Sequence, residues 1–343
     1  MLYSGVSWGA TGFEVDTVGP DGGRVLPRMQ FAAGRADEMI AYLRGIRGPH
    51  ATVVESTNGI LDGRMMAAGL EVFRADEDAL PRRPSFGSVP AVDVAHAAAR
   101  APAALTRLVR NRGTQTGREP LLERWIASAA DATARMSAAG RCLDHGPRER
   151  REIALTFDDG PLPPYTGRIL DVLERYGVPA TFFCVGMNAG AYPEEVRRIR
   201  AQGHGLANHT WSHPFLPELT RPELVEQLAR TRDRIAEVSD GPAPTLFRPP
   251  YGARTPEVVR WLTEEDARVV LWDVAPDDWA MPGADFIADT VLAEARPGSV
   301  VLLHDGGGDR SQTVEALPAV IEGLLERDYR FVLVDDMVTA PVG

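Results

Sequence analysis

The chain has 343 residues, of which 44% are hydrophobic and 25% charged, a balance typical of a globular protein with room for two domains. Its formal net charge of −11 argues against general binding to nucleic acids or anionic membranes. The chain has no lysine, which excludes Schiff-base chemistry and a lysine-bearing phosphate loop.

The chain also lacks the sequence signals of export and membrane insertion. No apolar stretch reaches the roughly 20 residues of a membrane span. The opening segment MLYSGVSWGATGFEVD has no basic region followed by a long apolar run. We therefore expect a cytoplasmic protein without a membrane anchor.

The first part of the chain reads as three strands followed by alternating helices and strands. The strand patterns are LYSGVSWG, FEVDTVG and RVLPRMQFAA, and they precede ADEMIAYLRGI (helix), ATVVES (strand), GRMMAAG (helix) and LEVFRAD (strand). We predict an α/β domain over residues 1–90. Residues 91–149 are predicted to form an alanine-rich helical connector and a charged linker.

This order of elements resembles the ribonuclease-H-like domain of DEDD-type transposases. Ser7 stands where that family carries a strand-end aspartate, and Glu55 matches the second acid. Asp93 matches one member of the last acidic pair, and His96 replaces the other. Two-metal nucleases need their carboxylates to hold the ions. We therefore expect a degenerate domain without nuclease activity, reused for assembly or substrate access.

From Ile153 onward, short apolar runs alternate with helical segments. The runs are IALTF, ATFFCVG, HGLANH, TLFRPPY, RVVLWDV, SVVLLHD and YRFVLV. Such alternation predicts a parallel α/β fold, either a barrel or a doubly wound sheet. These folds place their functional sites at the carboxyl ends of the strands.

Chemically capable residues follow the apolar runs, as this fold predicts. In a barrel they would face one shared mouth. They are Asp158 and Asp159 in TFDDGP, His209 and His213 in NHTWSH, Arg248 and Tyr251 in FRPPYG, Asp278 and Trp279 in APDDW, and His304 in VLLHD.

The spacing of His209 and His213 can bring two imidazoles to one metal ion. A strand-end aspartate would complete a two-histidine, one-carboxylate set that leaves positions open for water and substrate. Only one residue of the Asp158–Asp159 pair is needed as a ligand. The other would lie beside the metal-bound water, where it can accept a proton.

Hydrolysis also needs a proton donor for the leaving group, and His304 is the candidate, with Asp278 setting its charge and tautomer. Arg248 can orient the catalytic aspartate. Tyr251 supplies the first backbone N–H after two prolines, which suits an oxyanion hole. Trp279, like Trp272, could form a wall of a sugar site.

Together, in this order, the motifs TFDDG, HTWSH, RPPYG, DDW and LLH resemble the polysaccharide deacetylase family, the NodB-homology domain. The resemblance covers about residues 150–338. It implies a distorted (β/α) barrel, so the predicted fold is this barrel preceded by the smaller α/β ribonuclease-H-like domain and the helical connector. Members of this family are metal-dependent hydrolases, usually zinc enzymes, that remove acetyl groups from sugars.

The resemblance also implies roles for individual residues. Asp158 would be the general base, held by Arg248, whereas Asp159, His209 and His213 would be the metal ligands. The metal would be Zn²⁺ or a similar divalent ion such as Co²⁺.

Further roles follow from the later motifs. Tyr251 would donate its backbone N–H to the oxyanion and contact the substrate, and His304 would be the general acid, paired with Asp278. Leu302 would line the acetyl pocket. One departure from the family pattern is Ala275, which stands where many members carry a further aspartate.

The predicted function is therefore a metal-dependent hydrolase that deacetylates an N-acetylated sugar, glycan or related amide. The first alternative is a deacylase of a small natural-product amide in the same fold. The second is a non-haem iron oxygenase, which shares the ligand set but leaves the adjacent base, Arg248 and His304 unexplained. The third is a transposase-related nucleic-acid-binding protein, which the net charge and the missing carboxylates disfavour.

Overall fold

The structure is a computed structural model that describes residues 1–9, 11–56, 58–84, 86–108 and 119–338. The chain divides into two units, Met1–Glu119 and Pro120–Gly343, and each is described separately. None of the helices in the described ranges combines the length and the apolar composition that a membrane crossing requires.

A mixed six-stranded sheet forms the centre of the first unit. Its strands are β1 (Leu2–Gly9), β2 (Gly12–Val18), β3 (Met29–Ala32), β4 (His50–Val54), β5 (Val72–Arg74) and β6 (Thr106–Arg107). The strand order is β3-β2-β1-β4-β5-β6. Strands β4 and β5 run parallel to β1, whereas β2, β3 and β6 are antiparallel to their neighbours.

The described residues of this unit include the helices α1 (Ala36–Arg44), α2 (Gly59–Ala67) and α3 (Ala91–Arg100). Helix α3 lies very close to β1, because a Cβ placed on Gly5 would be 2.0 Å from the carbonyl oxygen of Ala91. The alanine-rich face of α3 permits this approach. The start of the segment predicted to be a connector therefore packs as part of the first unit, since its small side chains fit against the sheet.

The strands and helices of residues 1–90 follow the chain order predicted from the sequence. Helix α3 lies in the segment predicted to be a helical connector, and β6 was not predicted. The relation to ribonuclease-H-like domains stays a prediction. Glu55, just after β4, is buried and accepts a hydrogen bond from the Val89 N–H at 2.8 Å. The Arg83 guanidinium lies 3.5 Å from the same carboxylate. The His96 ring nitrogen Nε2 donates to the Gly22 carbonyl oxygen at 3.1 Å.

A parallel eight-stranded sheet forms the centre of the second unit. Its strands are β7 (Cys142–Leu143), β8 (Glu152–Asp158), β9 (Thr181–Cys184), β10 (Gly205–Asn208), β11 (Leu246–Phe247), β12 (Arg268–Val270), β13 (Ser299–His304) and β14 (Arg330–Phe331). The order is β13-β8-β9-β10-β11-β12-β7, and β14 also pairs with β8. Each of the seven apolar runs predicted to be a strand contains one, which confirms the parallel α/β prediction.

The sheet of the second unit curls into a distorted barrel. The chain just after β12 hydrogen-bonds to β13, from the Leu302 N–H to the Val274 carbonyl oxygen at 2.9 Å. Val274 also forms a parallel bridge with Val301. Residues from opposite ends of the strand order therefore meet, and the carboxyl ends of the strands surround one mouth.

Helices enclose this sheet, as the sequence pattern predicts. They are α4 (Glu119–Ser128), α5 (Ala130–Ala138), α6 (Tyr165–Tyr176), α7 (Gly186–Ala191), α8 (Pro193–Ala201), α9 (Arg221–Ser239), α10 (Pro256–Glu264), α11 (Ala284–Glu294), α12 (Ser311–Leu325) and α13 (Val334–Val338). Helix α6 illustrates their packing. It buries Ile169, Leu170 and Leu173 in the core, and Gly177 directly after it has a φ of 64°, which suits a residue without a Cβ.

The later part of the predicted connector belongs to the second unit. Strand β7 pairs with β12, and Met136 of α5 lies in the same apolar cluster as Cys142 and Val258. Helical periodicity does not show which sheet a helix covers, so the sequence could not assign this segment.

Candidate active site

The carboxyl ends of neighbouring strands bring the predicted site residues together. Asp158 is the last residue of β8 and stands in register with His304, the last residue of β13. His209 directly follows β10, and Arg248 directly follows β11. Parallel strands end on the same edge of a sheet, so residues distant in sequence meet here.

Asp159, His209 and His213 form a buried cluster whose ligand atoms lie within 4.8 Å of one another. The Oδ1 atom of Asp159 is 3.1 Å from Nε2 of His213 and 3.5 Å from Nε2 of His209. Within the described part of the chain, no group donates a hydrogen bond to this Oδ1. A buried carboxylate oxygen without a donor, facing two imidazole nitrogens, is the donor set that a divalent cation completes.

Hydrogen bonding and charge prepare these three residues for a cation. Nδ1 of His209 donates to the Arg248 carbonyl oxygen at 2.8 Å, which leaves the Nε2 lone pair free to coordinate. Burial alone raises the pKa of Asp159, but the imidazoles of His213 and His209 outweigh it and hold the pKa well below its usual range. Burial lowers the pKa of His213, which favours the neutral imidazole that binds metals.

A tight loop after β10 sets the positions of the two histidines. Thr210 and His213 both have positive φ angles, 65° and 59°, so the backbone turns sharply between them. The Gln227 side chain of α9 accepts the N–H groups of Trp211 and Ser212 at 2.8 and 3.0 Å. The spacing of four therefore brings both imidazoles to one point on a loop rather than on a helix.

Asp158, the other half of the aspartate pair, has different partners. Its Oδ1 accepts a hydrogen bond of 2.7 Å from Nη1 of Arg248. Its Oδ2 lies 3.6 Å from Nε2 of His209, and thus faces the metal-ligand cluster. The two adjacent carboxylates consequently occupy separate environments, one facing an arginine and the other two imidazoles.

Arg248 is completely buried, and its surroundings hold the guanidinium in one orientation. Its nitrogens donate to the Val270 and Leu271 carbonyl oxygens and to the Thr156 hydroxyl, at 3.2, 3.0 and 2.8 Å. The Phe183 ring lies 4.0 Å from the guanidinium carbon. Burial lowers the pKa of Arg248, but the Asp158 carboxylate opposes this shift. A buried, paired arginine of this kind fixes its carboxylate partner.

His304 and Asp278 form a second pair at the mouth. Nδ1 of His304 donates to Oδ1 of Asp278 at 2.6 Å, and Oδ2 of Asp278 accepts the His304 N–H and the Thr313 hydroxyl. Burial alone lowers the pKa of His304, but the Asp278 carboxylate outweighs it, and the pKa is raised. The Nε2 atom of this ring is therefore suited to carry and release a proton.

Tyr251 lies in a strained loop after β11. Its φ and ψ angles of 59° and 7° are left-handed, a conformation that costs a residue with a side chain about 1–2 kcal/mol. Its ring stacks on Phe215 with a centroid separation of 4.0 Å and meets the His213 ring edge-on at 4.4 Å. The Tyr251 backbone is thus next to the predicted metal ligands.

Trp279 and Leu302 line the same end of the sheet. Leu302 is buried in β13, two residues before His304, and Trp279 is half-buried in the short 3-10 helix Asp278–Ala280. Asp277, which neighbours the Asp278 pair, is exposed with a φ of 51°.

Asp305 is a buried carboxyl group at the site that the sequence reading left out. Its N–H donates to the Asp158 carbonyl oxygen at 3.0 Å, and its Oδ2 accepts the Thr166 hydroxyl at 2.6 Å. Burial, with the charges of Asp159 and Asp158, raises the pKa of Asp305 to about 7. The available signal was the acidic residue right after His304 in VLLHD, at the carboxyl end of a predicted strand.

Asp305 also explains the glycine after the two aspartates. A Cβ on Gly160 would lie 1.9 Å from Oδ2 of Asp305, too close for any side chain. The motif TFDDGP therefore needs glycine at this position for packing.

Comparison with known proteins places the chain in a family. The family model described as "Polysaccharide deacetylase" matches residues 145–270. A peptidoglycan-N-acetylglucosamine deacetylase of Bacillus cereus is 40% identical over 193 residues, which cover 56% of this chain and 70% of the relative. A chitooligosaccharide deacetylase of Rhizobium leguminosarum bv. trifolii is 41% identical over 198 residues, which cover 54% and 92%.

Solved structures agree with the sequence relatives. The Bc1960 peptidoglycan N-acetylglucosamine deacetylase superposes with a TM-score of 0.57 at 38% identity, covering 59% of this chain and 94% of the other. PdaA of Bacillus subtilis, described as a family 4 carbohydrate esterase, superposes with a TM-score of 0.55 at 28% identity, covering 60% and 87%.

Proposed function

The chain belongs to the polysaccharide deacetylase family, and we propose that its second unit is a zinc-dependent hydrolase that removes the acetyl group from an N-acetylated sugar. The observation that carries the proposal is the different surroundings of the two adjacent aspartates. Asp159 faces two imidazoles, whereas Asp158 is held by the buried Arg248.

Asp159, His209 and His213 would hold the metal, because their donor atoms converge and the Asp159 oxygen has no other donor in the described ranges. One carboxylate and two imidazoles are a common catalytic zinc set. When bound, the ion supplies Lewis-acid activation of water and of the acetyl carbonyl group.

Asp158 acts as the general base. Arg248 holds one carboxylate oxygen, and the other faces the metal-ligand cluster, where it can accept the proton of the attacking water.

The Tyr251 loop and the apolar residues orient the acetyl group. The Tyr251 N–H is proposed to donate to the developing oxyanion, since the two prolines before it have no N–H. Leu302 would contact the acetyl methyl group, and Trp279 would contact a sugar ring.

His304 is the general acid that protonates the departing amine. The Asp278 carboxylate raises the pKa of His304, so the imidazole stays protonated to a higher pH than burial alone would allow.

This pairing leads to a prediction about pH dependence. In an Asp278→Asn variant the largest influence that raises the pKa of His304 disappears, while the lowering effect of burial and the smaller raising effect of Asp159 remain. We expect the alkaline limb of the profile of kcat/KM against pH to move to lower pH. A matched control is Asp277→Asn, which removes the same charge from the neighbouring exposed position and should leave the limb in place. If the alkaline limb of the Asp278→Asn profile stays at the wild-type pH, His304 is not the general acid.

The substrate class follows from the relatives' names. Peptidoglycan-N-acetylglucosamine and chitooligosaccharides share an N-acetylated glucosamine unit, so we propose this unit as the substrate. The test is acetate release by purified protein from N-acetylated chito-oligosaccharides, peptidoglycan, O-acetylated xylan and a small N-acetyl amide. We expect release from the N-acetylated glycans. Release from the small amide alone would favour the natural-product alternative, and release from none would reject the proposal.

A further inference from the structure

Helices α4 and α5, which Ala129 alone separates, contact the Tyr251 loop from outside the stretch that the family model matches. That stretch begins at residue 145, whereas α5 ends at Ala138. Nothing in the proposed chemistry assigns a role to these two helices. Their side chains nevertheless contact Arg254 and Phe215, which in turn contact the Tyr251 loop.

The Tyr251 loop needs external support because two successive residues are left-handed. Tyr251 has a φ of 59° and Gly252 a φ of 63°. A residue with a side chain keeps this conformation only where contacts with the surrounding structure stabilise it. Within the loop, the Gly252 and Ala253 N–H groups donate to the Pro249 and Pro250 carbonyl oxygens at 3.0 and 2.9 Å.

The first external contact runs through Arg254. Its Nη1 donates to the Gly252 carbonyl oxygen at 2.6 Å, and its Nε donates to the Thr133 hydroxyl of α5 at 3.0 Å. One guanidinium thus joins the left-handed turn to α5. Its fork geometry fixes both acceptors at once.

The second external contact runs through aromatic rings. Trp125 of α4 packs on Phe215 with a centroid separation of 5.9 Å, and Phe215 stacks on Tyr251 with an interplanar angle of 5°. Tyr251 in turn meets the His213 ring. Phe215 is buried, and Trp125 closes the outer end of this row.

We propose that the α4–α5 segment (Glu119–Ala138) is a positioning element that holds the Pro249–Gly252 loop in its strained form through Thr133 and Trp125. The inference rests on the proposed function for its catalytic consequence, because the loop carries the Tyr251 N–H. Thr133 and Trp125 act through Arg254 and Phe215, and they are positioning residues rather than catalytic ones.

The sharpest test replaces the Thr133 hydroxyl with a methyl group. Thr133→Val keeps the shape of the side chain but cannot accept the Arg254 hydrogen bond, whereas Thr133→Ser keeps the hydroxyl. Hydrogen–deuterium exchange reads the loop directly. We expect the Gly252 and Ala253 amides to exchange about fivefold faster in Thr133→Val, the equivalent of one net hydrogen bond. The serine variant and the amides of β13 should match the wild type.

Kinetics then separate positioning from general destabilisation. With an N-acetylated chito-oligosaccharide, Thr133→Val should lower kcat roughly tenfold. Its KM, zinc content and melting temperature should change little, and Thr133→Ser should restore kcat. Trp125→Ala should repeat this pattern, and Trp125→Phe should restore most of the loss because a ring again packs on Phe215.

The exchange measurement keeps the two proposals apart. If the wild-type protein releases no acetate from any glycan, the proposed function fails, but faster amide exchange of the loop in Thr133→Val still supports the positioning role of α4 and α5. This role would be overturned if Thr133→Val and Trp125→Ala both kept the amide exchange rates and the kcat of the wild type. A loss of kcat that follows the melting temperature alone, or a serine variant as slow as the valine variant, would also overturn it.

Discussion

The Asp158→Asn variant is expected to lose turnover by roughly 10² to 10⁴-fold, the usual contribution of general base catalysis, and to keep its metal. The amide has nearly the same shape, so it still fills the space beside Arg248, but it cannot accept a proton. The three proposed ligands, Asp159, His209 and His213, are unchanged. Substrate binding should therefore persist while kcat falls.

The variant also leaves the buried Arg248 without a countercharge, which lowers stability by an expected 3–5 kcal/mol. Turnover must consequently be compared well below the melting temperature, with circular dichroism confirming that the variant is folded. Zinc content by metal analysis completes the measurement. Near-normal turnover in folded Asp158→Asn, or loss of its zinc, would contradict the assignment of this residue as the base.

The Asp159→Asn variant should fail in a different way. Its neutral amide oxygen replaces the negatively charged carboxylate that faces the two imidazoles in the wild type. The metal site therefore loses its one anionic ligand and binds a divalent cation less tightly. We expect zinc occupancy to fall in dialysed protein, and acetate release to fall with it. Excess zinc should recover part of the activity, because the variant still offers two histidines.

The two aspartate variants serve as controls for each other, since they make the same chemical change at adjacent positions. A plain structural turn predicts that both mainly lower the melting temperature and leave the metal content alike. If Asp158 is the base and Asp159 a ligand, Asp158→Asn should have low turnover with full zinc, and Asp159→Asn should have low zinc. Equal zinc loss in the two variants would refute this division of roles.

Much of this site follows from the sequence because its residues obey one rule of parallel sheets. Asp158, His209, Arg248 and His304 each end an apolar run, and the carboxyl ends of parallel strands share one edge. The type of fold and the candidate metal cluster could therefore be predicted before any distance was known. The family motifs added the proposed roles.

Other features depend on contacts that no local pattern encodes. The complete burial of Arg248 against Phe183, and the placement of Asp305 against Gly160, arise from strands far apart in the chain. The connector shows the same limit. Its alanine-rich periodicity predicted helices, but only packing shows that α3 covers β1, whereas Thr133 of α5 reaches Arg254.

The central claim is that acetate release depends on one metal ion held by Asp159, His209 and His213. Its most direct test is a titration of zinc into metal-stripped wild-type protein while acetate release from an N-acetylated chito-oligosaccharide is recorded. The account predicts no release from the stripped protein and a linear rise to a plateau at about one zinc per chain. Full release without added metal, or a rise that continues well beyond one equivalent, would contradict it.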